Sequence, residues 1–203
     1  MSVLKDVLAT NFRVVFCGTA VGAASARRRA YYAGPGNAFW PPLFQVGLIP
    51  IRFEPEQYKC ITEYGLGLTD LAKTVSGSDR VLSRQHFDGD GLRAKMRYYS
   101  PKVLAFTSKR AAEEFVGRPV EYGQLEDMIG STQLFVHSLG LAPAAIPAAG
   151  RSVLLSTQLR NTRPPGQVIS CLHNHRTLDR SSDAGIVPSH ERLHASFPWS
   201  PAL

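Results

Sequence analysis

The residues able to do chemistry begin at Gly18-Thr19-Ala20-Val21-Gly22, a glycine-bounded segment that follows the apolar run Val14-Val15-Phe16-Cys17. Backbone N–H groups in such a turn can line a pocket and meet a developing anion, because fixed dipoles need no reorganisation. Arg27-Arg28-Arg29 comes a few residues later; consecutive guanidiniums either clamp phosphate or form a solvated charge run. Tyr31-Tyr32 then precedes the turn Gly34-Pro35-Gly36-Asn37. Asn37 there fixes its own turn, since Asn bonds nearby backbone readily. Asp70 follows the strand-like Leu66-Gly67-Leu68. Its carboxylate can bind water and oppose positive charge at a reacting centre, or else cap a helix starting at Leu71. Lys73 beside it either contacts phosphate or sits in solvent.

Composition narrows the partners. Lys and Arg outnumber Asp and Glu by 23 to 16, a formal charge of +7, which favours polyanions through counterion release. No apolar run reaches the roughly 18 residues of a membrane helix, and Met1 to Asp6 lacks a signal-peptide pattern. The expectation is a cytoplasmic monomer with no membrane partner. Cys17, Cys60 and Cys171 are odd in number and far apart. They make no metal-ligand spacing and no disulfide framework, so reduced, buried thiols and no metal are expected.

These residues need elements to hold them. Arg13 to Cys17 suits a buried parallel strand that stops at Gly18. Residues 38–47 read as helical after Pro41-Pro42, and Glu54 to Tyr64 as a further helix with Pro55 near its start. From Gly91, apolar residues at Leu92, Met96 and Tyr99 mark an amphipathic helix ending before Pro101, with Arg93, Lys95 and Arg97 on its wet face. Lys102 to Thr107 is a second strand, Ser108 an N-cap for a helix closed by Gly117, and Gln133 to Val136 a third strand. Alternating strands and helices give an α/β fold, a three-layer sandwich with a mainly parallel sheet flanked by helices. Residues 1–145 are expected to form that domain. Residues 146–203, rich in Arg, Ser, Pro and His, read as a disordered or loosely packed tail.

The segments Phe16 to Gly22, Tyr31 to Trp40, Tyr64 to Leu71, Gly91 to Tyr99 and Gly130 to Val136 occur in the order found in mismatch-specific uracil-DNA glycosylases. The chain resembles that family, the bacterial relatives of thymine-DNA glycosylase, over residues 10–136. The resemblance implies hydrolysis of the N-glycosidic bond of uracil or a related deaminated base in DNA, after base flipping. The setting would be base excision repair, with no cofactor. It implies that Gly18, Thr19, Gly22, Tyr32 and Asn37 contact substrate, Tyr32 standing where the family has a base-stacking Phe. Beside such a pocket, Arg27, Arg28 and Arg29 suit phosphate clamping, and His137 and Ser138, at the start of the segment where the family's loop enters the duplex, are the other DNA-contact candidates.

Two departures bear on the chemistry. The family's first turn reads Gly-Ile-Asn-Pro-Gly, whose Asn holds water; here that position is Ala20, which offers only its backbone. Asp70 is the candidate to supply the missing function. After Val136 the family carries a Leu-Pro-x-Pro-Ser-Gly-Leu-like loop that enters the duplex, whereas this chain has His137-Ser138-Leu139-Gly140-Leu141-Ala142-Pro143. A one-base frame offset near this point would account for both the altered loop and the tail. Two other functions compete: a DNA-binding relative that has lost its chemistry, and a nucleotide-binding enzyme. The second lacks any GxGxxG or P-loop pattern.

Overall fold

Val14–Val21 forms β1, and the chain turns at Gly22 into the short helix α1, Ala23–Arg28. The computed structural model describes residues 1–137. Helix α2 spans Trp40–Gln45 with prolines in its first turn, where their missing N–H groups cost nothing. A 3-10 helix over Pro55–Tyr64 leads into the long strand β2, Leu66–Ser76. Then follow α3 (Gly89–Tyr99), β3 (Val103–Phe106), α4 (Lys109–Val116), β4 (Gly123–Ile129) and β5 (Thr132–Val136).

The strands make one sheet in the order β2-β1-β3-β5-β4. β2, β1, β3 and β5 run parallel, and β4 closes the far edge antiparallel to β5. Helices cover both faces, which is why β1 and β3 are apolar and buried almost throughout. Val15 and Cys17 point to one face, into a core with Met96 of α3 and Phe115 of α4. Phe16 points to the other, where it meets Phe39 edge-on at 5.3 Å, and Phe39 meets Trp40 in the same manner at 4.9 Å.

The caps read from sequence hold. Ser108 accepts from the Ala111 N–H at 3.1 Å at the start of α4, and Gly117 ends it with φ 80°. The α/β sandwich with a mainly parallel sheet is likewise observed.

Three local expectations are corrected. β1 does not stop at Gly18 but runs on to Val21, because the 11-residue β2 stays beside it as a ladder partner. Asp70 therefore does not cap a helix; it sits inside β2, in register with Gly18. Strand β4 has an alternating burial pattern over Gly123–Ile129 that the sequence reading passed over. Among the cysteines, Cys17 is a buried free thiol, whereas Cys60 is disulfide-bonded, against the expectation of reduced thiols throughout. The boundary at residue 145, the tail, and the loop from Ser138 onward lie outside the described residues.

The N-terminal segment protects the free edge of β2, which would otherwise present unpaired backbone groups. Val7 and Leu68 exchange two backbone hydrogen bonds of 2.9 Å, and the Val3 N–H donates to the Lys73 carbonyl at 2.8 Å. Gly67 lies under this strap. A Cβ there would stand 2.7 Å from the Val7 carbonyl oxygen and 3.0 Å from the Phe12 ring. The carbonyl is held by its bond to Leu68, so it cannot retreat cheaply. Gly67→Ala is expected to destabilise the fold by about 1–3 kcal/mol, the range for overpacking. Urea unfolding checks this through a lower midpoint at unchanged slope.

Candidate functional site

The site forms where β1 outruns β3. Pairing of β1 with β3 ends at Cys17, opposite Phe106, whereas pairing with β2 continues past Gly18 to Ala20. Residues 18–21 thus keep one edge open beyond the carboxyl end of β3. The two neighbours of β1 are reached by connections going opposite ways, and such switch points leave a crevice for ligands. The Thr107 N–H donates to the Cys17 carbonyl at 2.9 Å. Ladder alternation turns the Thr19 N–H to that same open side and the Ala20 N–H towards β2.

A cavity of about 470 Å³ occupies the crevice, with Gly18, Thr19, Tyr32, Asn37, Asp70 and Thr107 among its lining residues. That volume is within the roughly 300–1,000 Å³ of small-molecule sites. Ala20 and Gly22 also line it. The structure therefore brings together every substrate-contact candidate of the sequence reading with its two catalytic candidates.

Asp70 lies on the inner wall, 3% exposed. Burial raises the pKa of its carboxyl above the usual value, and Lys73 opposes that rise. The Lys73 ammonium stands 3.3 Å from Asp70 Oδ2, 2.8 Å from Asp6 Oδ1 and 3.0 Å from the Tyr31 hydroxyl, to which it donates. Lys95 of α3 reaches the other Asp6 oxygen at 2.7 Å, and Thr69 Oγ1 donates to Asp6 at 2.8 Å. Lys73 is thus neither a phosphate contact nor a solvated lysine, and Lys95 is not merely on a wet face. Both belong to an ion network that reaches the cavity at Asp70.

Tyr32 has one ring face stacked on Phe39, with centroids 3.7 Å apart and planes 10° from parallel. Only its opposite face is left for another ring. Its backbone has φ 56°, uncommon for an aromatic residue and the kind of strain held at functional sites. The Tyr32 hydroxyl is buried and has no hydrogen-bond partner among the described residues. Burial first, then Asp70, pushes its pKa well above the ordinary phenol value, so it stays protonated; Thr107 tempers that shift without reaching hydrogen-bonding geometry.

Asn37 fixes its turn as expected, its Oδ1 accepting from the Phe39 N–H at 3.0 Å, while it lines the cavity rim. Thr19 Oγ1 and Ser108 Oγ are 3.2 Å apart across the crevice. Arg27, Arg28 and Arg29 are exposed at the end of α1. Arg28 is engaged within the protein, with Glu56 at 2.6 Å and the Ala33 carbonyl at 2.8 Å. Arg27 and Arg29 have no ion pair among the described residues. His137 is buried at the end of β5, its backbone N–H donating to the Phe106 carbonyl at 2.8 Å. Burial lowers its pKa, which keeps the ring neutral near pH 7.

Asp6, Thr107 and Ser108 escaped the sequence reading. Thr107 and Ser108 read in the sequence only as a strand end and a helix cap, yet their place just past the carboxyl end of a parallel strand is a usable signal. Asp6 gave none, because its role depends on the N-terminal strap crossing β2. Among the described residues, no group of three His, Cys, Asp or Glu side chains is placed to hold a metal, and no helix is long and apolar enough to cross a membrane.

Comparison with protein families identifies what this site belongs to. Residues 5–181 match the model of the uracil DNA glycosylase superfamily.

The ion network has a pH signature. Burial raises the pKa of Asp6, but Lys73, Lys95 and Thr69 together more than offset this and leave it below 3.8. A carboxylate with a depressed folded pKa stabilises above its unfolded value, and that contribution is lost as pH falls through the folded one. Asp70, with its raised pKa, carries the opposite sign. Asp6→Asn is expected to destabilise the protein at neutral pH by about 3 kcal/mol, the cost of leaving a buried charge partly unpaired. Melting curves should show the gap from wild type closing only once pH falls below 3.8.

Proposed function

The chain belongs to the uracil-DNA glycosylase superfamily, and on that premise we propose that it removes uracil, or a related deaminated base, from DNA by hydrolysis. The observation that carries this reading is a buried carboxylate, Asp70, on the wall of a cavity of about 470 Å³, roomy enough for a flipped nucleotide's base, that opens beside the backbone amide of Thr19. A base inside duplex DNA must be extruded to reach such a cavity. The Tyr32 ring face turned away from Phe39 is the candidate stacking surface, worth roughly 1–3 kcal/mol per base. Asn37 at the rim, its Oδ1 held by the Phe39 N–H, keeps its Nδ2 amino group to read the base edge.

The chemistry divides between two groups. As the glycosidic bond breaks, negative charge gathers on the base and positive charge on the sugar C1′. The Thr19 N–H, fixed by the strand, meets the first without reorganising. Asp70 opposes the second and accepts a proton from water. Lys73, by compensating burial, favours the ionised form that this role demands. Ala20 supports the competing reading of a DNA-binding relative without chemistry, because its methyl group cannot orient water. The two readings differ in product, since only a glycosylase releases free base and leaves an abasic site.

Single-turnover assays on uracil-containing oligonucleotides, followed by alkaline cleavage, separate them. Asp70→Asn should slow base release by about 10²-fold or more, the scale of a positioned acid–base group, with DNA affinity little changed. A folded variant cleaving at the wild-type rate would remove Asp70 from catalysis. Affinity should come in part from Arg27 and Arg29. Replacing both with Ala should weaken DNA binding and flatten the dependence of log affinity on log salt by up to about two phosphate contacts' worth, near 0.9 each; an unchanged slope would place them away from the duplex.

A further inference from the structure

The segment Gly77-Ser78-Asp79-Arg80-Val81-Leu82 leaves β2 as a polar turn and ends on two apolar residues, of which the core takes only one. Leu82 is 7% exposed and Val81 63%. The turn is fixed at both ends. β1 and β2 lose register after Ala20, which pairs with Ala72, and regain it at Val21 opposite Ser76. The Gly77 N–H then donates to the Val21 carbonyl at 3.0 Å. From α4, the Arg110 guanidinium donates to the Asp79 carbonyl and, at 3.0 Å, to the Leu82 carbonyl. A single 3-10 turn, Asp79–Val81, fills the interval. Gly77 has φ 146°, and a Cβ on it would stand 2.8 Å from Val81 Cγ2, so glycine is what lets the valine lie against the turn.

A lone exposed apolar residue needs no explanation in itself. Position sets this one apart. Gly77, Ser78 and Asp79 line the cavity, and Val81 rests on Gly77, so a rigidly held apolar side chain stands beside the cavity's edge. A nucleotide turned into the cavity leaves a gap in its stack, and its neighbours on the strand must pass that edge. Apolar side chains inserted between base steps occupy such gaps. Arg80 precedes the valine, exposed and without an ion pair among the described residues, and sets a cation where the phosphates would run. We infer that Val81 enters the base stack of duplex DNA beside the flipped nucleotide and keeps the base from returning. The inference rests on the glycosylase reading above and deepens it, because it says how the site holds its substrate open. The held turn matters here, since a wedge that yields would let the stack close.

The test compares single-turnover uracil release from duplex and from single-stranded oligonucleotides at saturating protein. In a single strand the flipped base has no pairing partner to return to, so the wedge acts only in the duplex. Val81→Ala is expected to lower the duplex-to-single-strand rate ratio by about tenfold, the scale of two methyl groups withdrawn from an apolar contact, and Val81→Leu to restore it. Val81 is exposed, so neither change reaches the core. A second probe needs no chemistry: a duplex carrying 2-aminopurine next to a 2′-fluorinated deoxyuridine that resists hydrolysis. Its fluorescence should rise when the wild type binds, as the stack opens, and stay low with Val81→Ala. An unchanged rate ratio in Val81→Ala, or an equal fluorescence rise with both proteins, overturns the wedge, while base release by the wild type keeps the glycosylase reading. If the wild type releases no base, that reading falls and the fluorescence decides alone. A rise that needs Val81 then keeps the wedge in a DNA-binding relative, and any other result overturns it.

Discussion

A carboxylate taken out of water must be met by a cation or give up its charge, and in this protein that demand falls on Asp70. It is 3% exposed, with Lys73 at 3.3 Å. One ammonium shared with a second carboxylate would be a weak counterweight. Asp6, however, is itself balanced by Lys95 at 2.7 Å and by the Thr69 hydroxyl. Lys73 is therefore held in place from three sides, by Asp6, Asp70 and Tyr31. A flexible side chain so constrained loses little further entropy when it orients Asp70, which is what preorganisation requires.

The sheet supplies the geometry for this balance. Because the strap runs along the edge strand β2, the lysine at position 73 meets both Asp6 of the strap and Asp70 of the cavity wall. Because β1 outruns β3, a crevice opens beside residues 18–21, and Asp70, in register with Gly18, lines it. The strap itself does two jobs: it covers the edge with the Val7–Leu68 bridge and delivers Asp6 to the network. Disturbing the strap therefore reaches the site through electrostatics as well as through packing.

Features set by local chemistry were legible in the sequence. Ser108 and Gly117 bound their helix by capping, and the apolar run from Val103 marked its strand, because neighbours within a few residues decide both. The grouping of Gly18, Thr19, Tyr32, Asn37 and Asp70 around one cavity followed from the family resemblance. What failed depended on partners far along the chain. Gly18 looked like a strand end, since only pairing with a segment some 50 residues later keeps it extended. Asp70 before Leu71-Ala72-Lys73 resembled a helix cap, but the edge pairing overrode local preference. Arg28 looked free until Glu56 and Ala33 were placed beside it.

The central claim is that an ionised Asp70 replaces the water-holding side chain missing at position 20. The pH dependence of single-turnover uracil release tests it most directly, because the claim assigns the acidic limb to one group. The rate is expected to fall on acidification with an apparent midpoint above 3.8, since burial raises the carboxyl of Asp70, and this limb is expected to vanish in Asp70→Asn. A rate that stays level through the acidic range in folded wild-type protein, or an identical limb in the variant, would contradict the account.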